Sequence, residues 1–111
     1  MTIIWDDVEF NGPYQLQSWT KTNMAGVYTI LTTKDAEKNP PGFSILYVGQ
    51  TGNFAERGFP YEHERYRCWL RNSDSDEDKL FIAMHDERYE SERIRLESKI
   101  IERYKPVCNR K

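Results

Sequence analysis

Several things are scarce in this 111-residue chain, and each scarcity removes a class of protein. Two cysteines, Cys68 and Cys108, are too few to signal a disulfide framework, and they and the two histidines show no zinc-binding spacing. No apolar run is long enough to span a bilayer, and the N-terminus has no signal-peptide pattern. Together these predict a soluble, cytoplasmic protein with no membrane partner. A basic surplus is missing too: sixteen Lys and Arg face eighteen Asp and Glu, a formal charge of -2. Overall charge therefore does not drive nucleic-acid binding here, although a local basic face remains compatible with it. Internal repeats and low-complexity stretches are also absent. What the chain does have is 38% hydrophobic and 14% aromatic residues, enough for one small domain with a modest, aromatic-rich core.

The organising stretch is Ser44-Ile45-Leu46-Tyr47-Val48, an apolar and aromatic strand entered from Pro40-Pro41-Gly42 and left through Gly49. Gln50-Thr51-Gly52-Asn53 then makes a polar turn into a helical-looking segment carrying Arg57. A strand, a glycine that lets the backbone turn and a positioned arginine make a phosphate-handling corner. Upstream, Gly26 to Thr32 reads as a partner strand, joined by a long polar loop over Lys34 to Phe43. Residues 1–24 read as an N-terminal extension with a turn at Asn11-Gly12-Pro13. Trp5, Tyr14 and Trp19 within it serve either as an aromatic brace on the domain edge or as base-stacking platforms.

Downstream, Pro60 suits the first position of a helix over Tyr61 to Arg71. Arg65, Arg67 and Arg71, with Lys79, form the one locally basic patch, either a solvated face or a track for a phosphate backbone. Leu80-Phe81-Ile82-Ala83-Met84 reads as a third, central strand ending near His85, which reads as structural. A closing helix runs from about Tyr89 to Tyr104, stopped by Pro106. Ile94, Glu97, Ile101 and Tyr104 share its apolar stripe, with Arg93 and Lys99 largely outside it. A carboxylate on such a stripe needs a partner, so Glu97 either accepts a buried hydrogen bond or binds a cation.

Gly26-Val27-Tyr28 followed by Tyr47-Val48-Gly49 resembles the two half-motifs that name the GIY-YIG nuclease family. Spacing from Tyr47 to Arg57 is similar to the family's. The run Leu96-Glu97 through Tyr104-Lys105-Pro106 to Asn109 resembles the end of the nuclease domain of bacterial excision-repair proteins. The resemblance covers roughly residues 26–109. It implies an α+β fold, a three-stranded, mostly antiparallel sheet flanked by helices, over residues 25–111. It implies a metal-dependent endonuclease hydrolysing phosphodiester bonds in DNA, as a monomer or homodimer, with Mg²⁺ or Mn²⁺ as cofactor. Tyr28 takes the place of the family's general base or water-orienting phenol, and Tyr47 that of the tyrosine placing water or phosphate. Arg57 matches the phosphate-binding arginine, and Tyr61 a position held by His or Tyr. Glu97 matches the metal-binding carboxylate, and Asn109 a supporting polar residue. His63 is an alternative acid/base helper to Tyr61, or simply exposed. A free tyrosine ionises at about pH 10, so Tyr28 acts as a base only beside cations or in a relay. The competing expectation is a non-catalytic module of the same fold that binds nucleic acid or a protein partner.

Overall fold

The computed structural model describes residues 1–33 and 42–109. Its frame is one antiparallel sheet of five strands, β1 (Thr2–Trp5), β2 (Val8–Gln15), β3 (Gly26–Thr32), β4 (Ser44–Thr51) and β5 (Leu80–Asp86). Their spatial order is β1-β2-β5-β3-β4. The three expected strands are present, and the sheet is larger by two because the first residues join it. Leu80 to Met84 does form a central strand, flanked by β2 and β3.

The β1–β2 hairpin turns through Asp6 and Asp7, both with positive φ (52° and 65°), directly between paired Trp5 and Val8. Two consecutive left-handed residues match the right-handed twist of the flanking strands, and aspartate tolerates that region better than most residues. The expected turn at Asn11-Gly12-Pro13 is instead strand: β2 pairs with β5 on both sides of it, and the register shifts between Asn11 and Tyr14. Gly12 has φ 120°, and Pro13, which has no amide to donate, sits at the irregularity, where a strand tolerates it.

β3 is buried along its whole length, because it has neighbours on both edges and covered faces on both sides. One face packs Val27, Leu31, Val48 and Ala83 with Phe10 and Trp5 against Ile100, Leu96 and Tyr104 of helix α2 (Glu90–Tyr104). The other packs Tyr28, Ile30, Leu46, Ile82 and Met84 beneath Phe54, Phe59 and Trp69. The first face holds the closing helix in place; the second carries the candidate site.

Helix α2 begins after Tyr89, with Glu90 and Glu92 in the first turn favourably placed toward its positive end. It ends at left-handed Lys105, directly before Pro106. Its inward stripe is rotated from the expected one: Ile94 is exposed, whereas Arg93 is buried with Ile100. The region after β4 also departs from expectation. Residues 54–63 form successive turns rather than a helix, Phe59-Pro60 is cis, and α1 spans only Tyr66–Arg71. Gly58 (φ 82°) and a hydrogen bond from the His63 backbone N–H to the Pro60 carbonyl replace the regular helical pattern there. Cys68 on α1 and Cys108 in a 3-10 turn (Val107–Asn109) are joined by a disulfide, with Cα atoms 5.8 Å apart. Two cysteines suffice for one staple, although they cannot announce it. The expected loop over Lys34 to Phe43 lies for the most part outside the described residues.

Candidate functional site

Tyr28 and Tyr47 come together at the β3–β4 ladder. Their ring centroids are 6.1 Å apart and their hydroxyls are hydrogen-bonded, Tyr28 donating. Close packing explains both motif glycines, by different neighbours. Tyr28 crosses directly over Gly49, where an added Cβ would stand 2.5 Å from the Tyr28 hydroxyl and 2.6 Å from its ring. At Gly26 a Cβ would run into the His85 carbonyl on β5. Phe59 packs edge-on to Tyr28 at 4.9 Å, and Trp19 edge-on to Phe59 at 5.8 Å. An aromatic row thus links the tyrosine pair to the segment after β2.

The tyrosines are held firmly in the protonated form. Burial pushes Tyr28 far above the ordinary phenol range, and Tyr47, Glu97 and Glu56 push in the same direction. Tyr47 is raised by burial, then by Glu97 and Glu64. Arg57 is not among the groups acting on either. A depressed Tyr28 therefore requires positive charge beyond what the side chains supply.

Glu97, expected to lie inward, is half-buried beside this pair. Burial raises its carboxyl above the ordinary range, and a hydrogen bond from the Gln50 backbone N–H partly offsets the shift. The reason lies in the sheet edge. β4 is the last strand, so its outward amides at Val48 and Gln50 have no ladder partner. Glu97 accepts from Gln50, and Asn109 closes both Val48 groups, Oδ1 taking the N–H and Nδ2 donating to the carbonyl at 2.9 Å each. The disulfide at Cys108 pins the turn that carries Asn109.

Arg93 is the residue that sequence reasoning placed wrongly. It stands four before Glu97, on the same helical face, and that spacing was the available signal. Its Nε donates to the Gln50 side-chain oxygen at 2.9 Å, and Nη1 donates to the Glu87 and Arg88 carbonyls. A buried guanidinium thus fixes the residue whose backbone serves Glu97.

His63 packs against the Tyr47 ring at 5.1 Å and the Trp69 ring at 4.8 Å. Its Nδ1 accepts the Arg65 backbone N–H at 3.0 Å, which leaves Nε2 to carry the proton of the neutral ring. Burial lowers its pKa, Glu64 and Glu56 oppose that, and Arg65 adds to it. Arg57 is exposed on the turn after Phe54 and lines a small concavity with Glu56, Glu62 and His63. Tyr61 is not brought to the tyrosine pair; it packs edge-on to Tyr66 at 5.4 Å, and Tyr66 donates to Glu77. In the basic patch Lys79 is paired with Asp74 at 3.3 Å, while Arg67 and Arg71 face solvent. His85, read as structural, hydrogen-bonds the Glu9 carbonyl through Nδ1 at 3.0 Å.

Among the described residues no cluster of three or more His, Cys, Asp or Glu side chains is positioned to hold a metal. One carboxylate still fits a hard cation that keeps most of its waters. A carboxylate has about four lone-pair sites, so the Gln50 amide leaves room on Glu97. Among the described residues no helix is long and apolar enough to cross a membrane. The chain matches no family model, no curated protein and no solved structure.

Proposed function

We propose that this domain is a metal-dependent endonuclease that hydrolyses phosphodiester bonds in DNA. One observation carries the reading: a half-buried carboxylate, Glu97, acts on two hydrogen-bonded tyrosines whose packing requires the glycine between them. A purely structural role would not call for a carboxylate there, since Gln50 would be served equally by a neutral amide.

Glu97 would hold Mg²⁺ or Mn²⁺, which supplies Lewis-acid stabilisation of phosphoryl charge when bound. Tyr47, partly buried and accepting from Tyr28, is the phenol that orients the attacking water. Tyr28 holds Tyr47 in place and passes a proton only if local positive charge lowers both. Arg57, on its exposed turn, is free to present its planar fork to the phosphate oxygens. His63, neutral with Nε2 protonated, can donate toward a leaving oxygen in the concavity that it shares with Arg57. Residues 1–24 supply the wall beside Arg57 rather than a separate binding domain. A cytoplasmic setting requires that the chain work with Cys68 and Cys108 reduced.

The test is nicking of supercoiled DNA with Mg²⁺, Mn²⁺ or EDTA, for the parent and Glu97→Gln. The substituted amide still accepts the Gln50 N–H, so fold is kept and only the charge goes. Metal-dependent nicking that disappears in E97Q is the expected result. A second reading is favoured by the strongly raised Tyr28: a non-catalytic module that binds nucleic acid or protein. Absence of cutting in every metal, with Mg²⁺ shifting the melting temperature of neither parent nor variant, would establish it in place of the nuclease.

A further inference from the structure

A large cavity lies away from Glu97, on the sheet face that carries Tyr28 rather than the one covered by α2. It measures about 590 Å³ and is walled by Tyr14, Trp19, Met24 and Met84, with Asn11 and Asp86 among its polar groups. Met84 belongs to the core layer of Tyr28, and Trp19 ends the aromatic row described above. A second cavity of about 500 Å³ shares the Trp19 wall and contains Arg57, Lys21 and Tyr61.

The two differ in charge. Among the described residues Asp86 is the one charged side chain lining the first, so phosphate is repelled there. The second carries two cations, Lys21 and Arg57, against one carboxylate, Glu62, and Lys21 is held toward it by a 3.1 Å hydrogen bond from Nζ to the Glu56 carbonyl. An aromatic, thioether-lined recess beside a cationic one matches a nucleotide: base in the first, phosphate in the second. We propose that the first cavity receives one unpaired nucleobase of the substrate strand, with its neighbouring phosphate between Lys21 and Arg57. The proposal rests on the nuclease reading and narrows its substrate to DNA with an unstacked base near the cut.

A base within a duplex keeps its faces stacked and cannot enter such a recess. Tyr14, 40% exposed on β2, and Trp19 supply the stacking surfaces. An ionised aspartate only accepts hydrogen bonds, so Asp86 selects bases that present an amino group, adenine and cytosine over thymine.

The experiment titrates the protein in EDTA at low salt with labelled single-stranded octamers of dA, dC and dT, and with an eight-pair hairpin duplex. Single strands should bind more tightly than the duplex, with dA and dC ahead of dT. Tyr14→Ala should weaken the octamers by about five- to hundred-fold, the range of one lost base stack. Asp86→Asn, at an exposed strand end, should remove the preference over dT without weakening the duplex. Equal binding of single strands and duplex, failure of every octamer to bind, or parental affinities in both variants would each overturn the proposal. Because EDTA prevents cutting, the two readings fail separately. Octamer selectivity without metal-dependent nicking sinks the nuclease alone; nicking without octamer selectivity sinks the cavity's role alone.

Discussion

Reducing the Cys68–Cys108 bond should lower the stability of this domain by about 4 kcal/mol. The bond closes a loop across a sequence separation of 40, and the chain-entropy relation for such a loop gives about 4 kcal/mol at 25 °C. That is a large share of the roughly 5–15 kcal/mol that holds a small domain folded. Cys108 is fully buried in the core layer of Tyr28, so its thiol remains packed after reduction and the change is mostly one of unfolded-chain freedom. Urea unfolding followed by circular dichroism, with and without a phosphine reductant, measures it. With a slope of about 2 kcal/mol per molar for a chain of this size, the midpoint should fall by about 2 M. Cys68→Ala with Cys108→Ala should behave like the reduced protein or somewhat worse, from the lost sulfur packing. Coincident midpoints for oxidised and reduced protein would refute the chain-entropy reasoning.

Asn109→Ala should cost about 1–3 kcal/mol, because it strips both Val48 backbone groups of their partner, and hydrogen exchange at the Val48 amide should accelerate first. Gly49→Ala should destabilise by several kcal/mol and displace Tyr28, read as a change in tyrosine near-ultraviolet dichroism; an unchanged spectrum and melting temperature would contradict the packing. The lowered pKa of His63 means that the unfolded chain binds its proton more readily. Stability from this residue is present above about pH 6.5 and declines as pH falls from there through the folded pKa, a slope that His63→Phe should flatten in urea titrations. At Asp6 burial works against the charge, yet Lys99 (3.2 Å) and Arg103 (2.9 Å) outweigh it and hold the carboxyl below its usual range. Its stabilisation is present above about pH 4 and lost as pH falls through the lower folded value; Asp6→Asn, which keeps the turn, should remove that acid dependence.

The parts of the fold that were legible are those whose signal is local. β3, β4 and β5 are apolar runs bounded by turn residues, and α2 has helical periodicity and a proline stop. β1 and β2 were not legible because β2 owes its strand character to pairing with β5, some seventy residues away, across a glycine and proline that locally argue against a strand, and β1 pairs with β2 alone. For the site, Tyr28, Tyr47, Glu97 and Asn109 do converge on β4 and its edge, since strand alternation and helical spacing carry them there. His63 and Tyr61 follow irregular turns around a cis proline, where no periodicity fixes direction, and only His63 reaches Tyr47. Arg93 escaped because a charged residue reads as solvent-facing unless its carbonyl and amide partners are known, and those lie on other segments.

The outer side of β4 has one more implication. An open strand edge invites a second chain to extend the sheet by adding a strand of its own. Here Asn109 and Glu97 already occupy the Val48 and Gln50 positions that an incoming strand would bond. Any self-association through this edge would have to evict Glu97 from Gln50, so growth of the sheet and use of that carboxylate are mutually exclusive. The same two side chains that complete the candidate site therefore also guard the domain against polymerising through it.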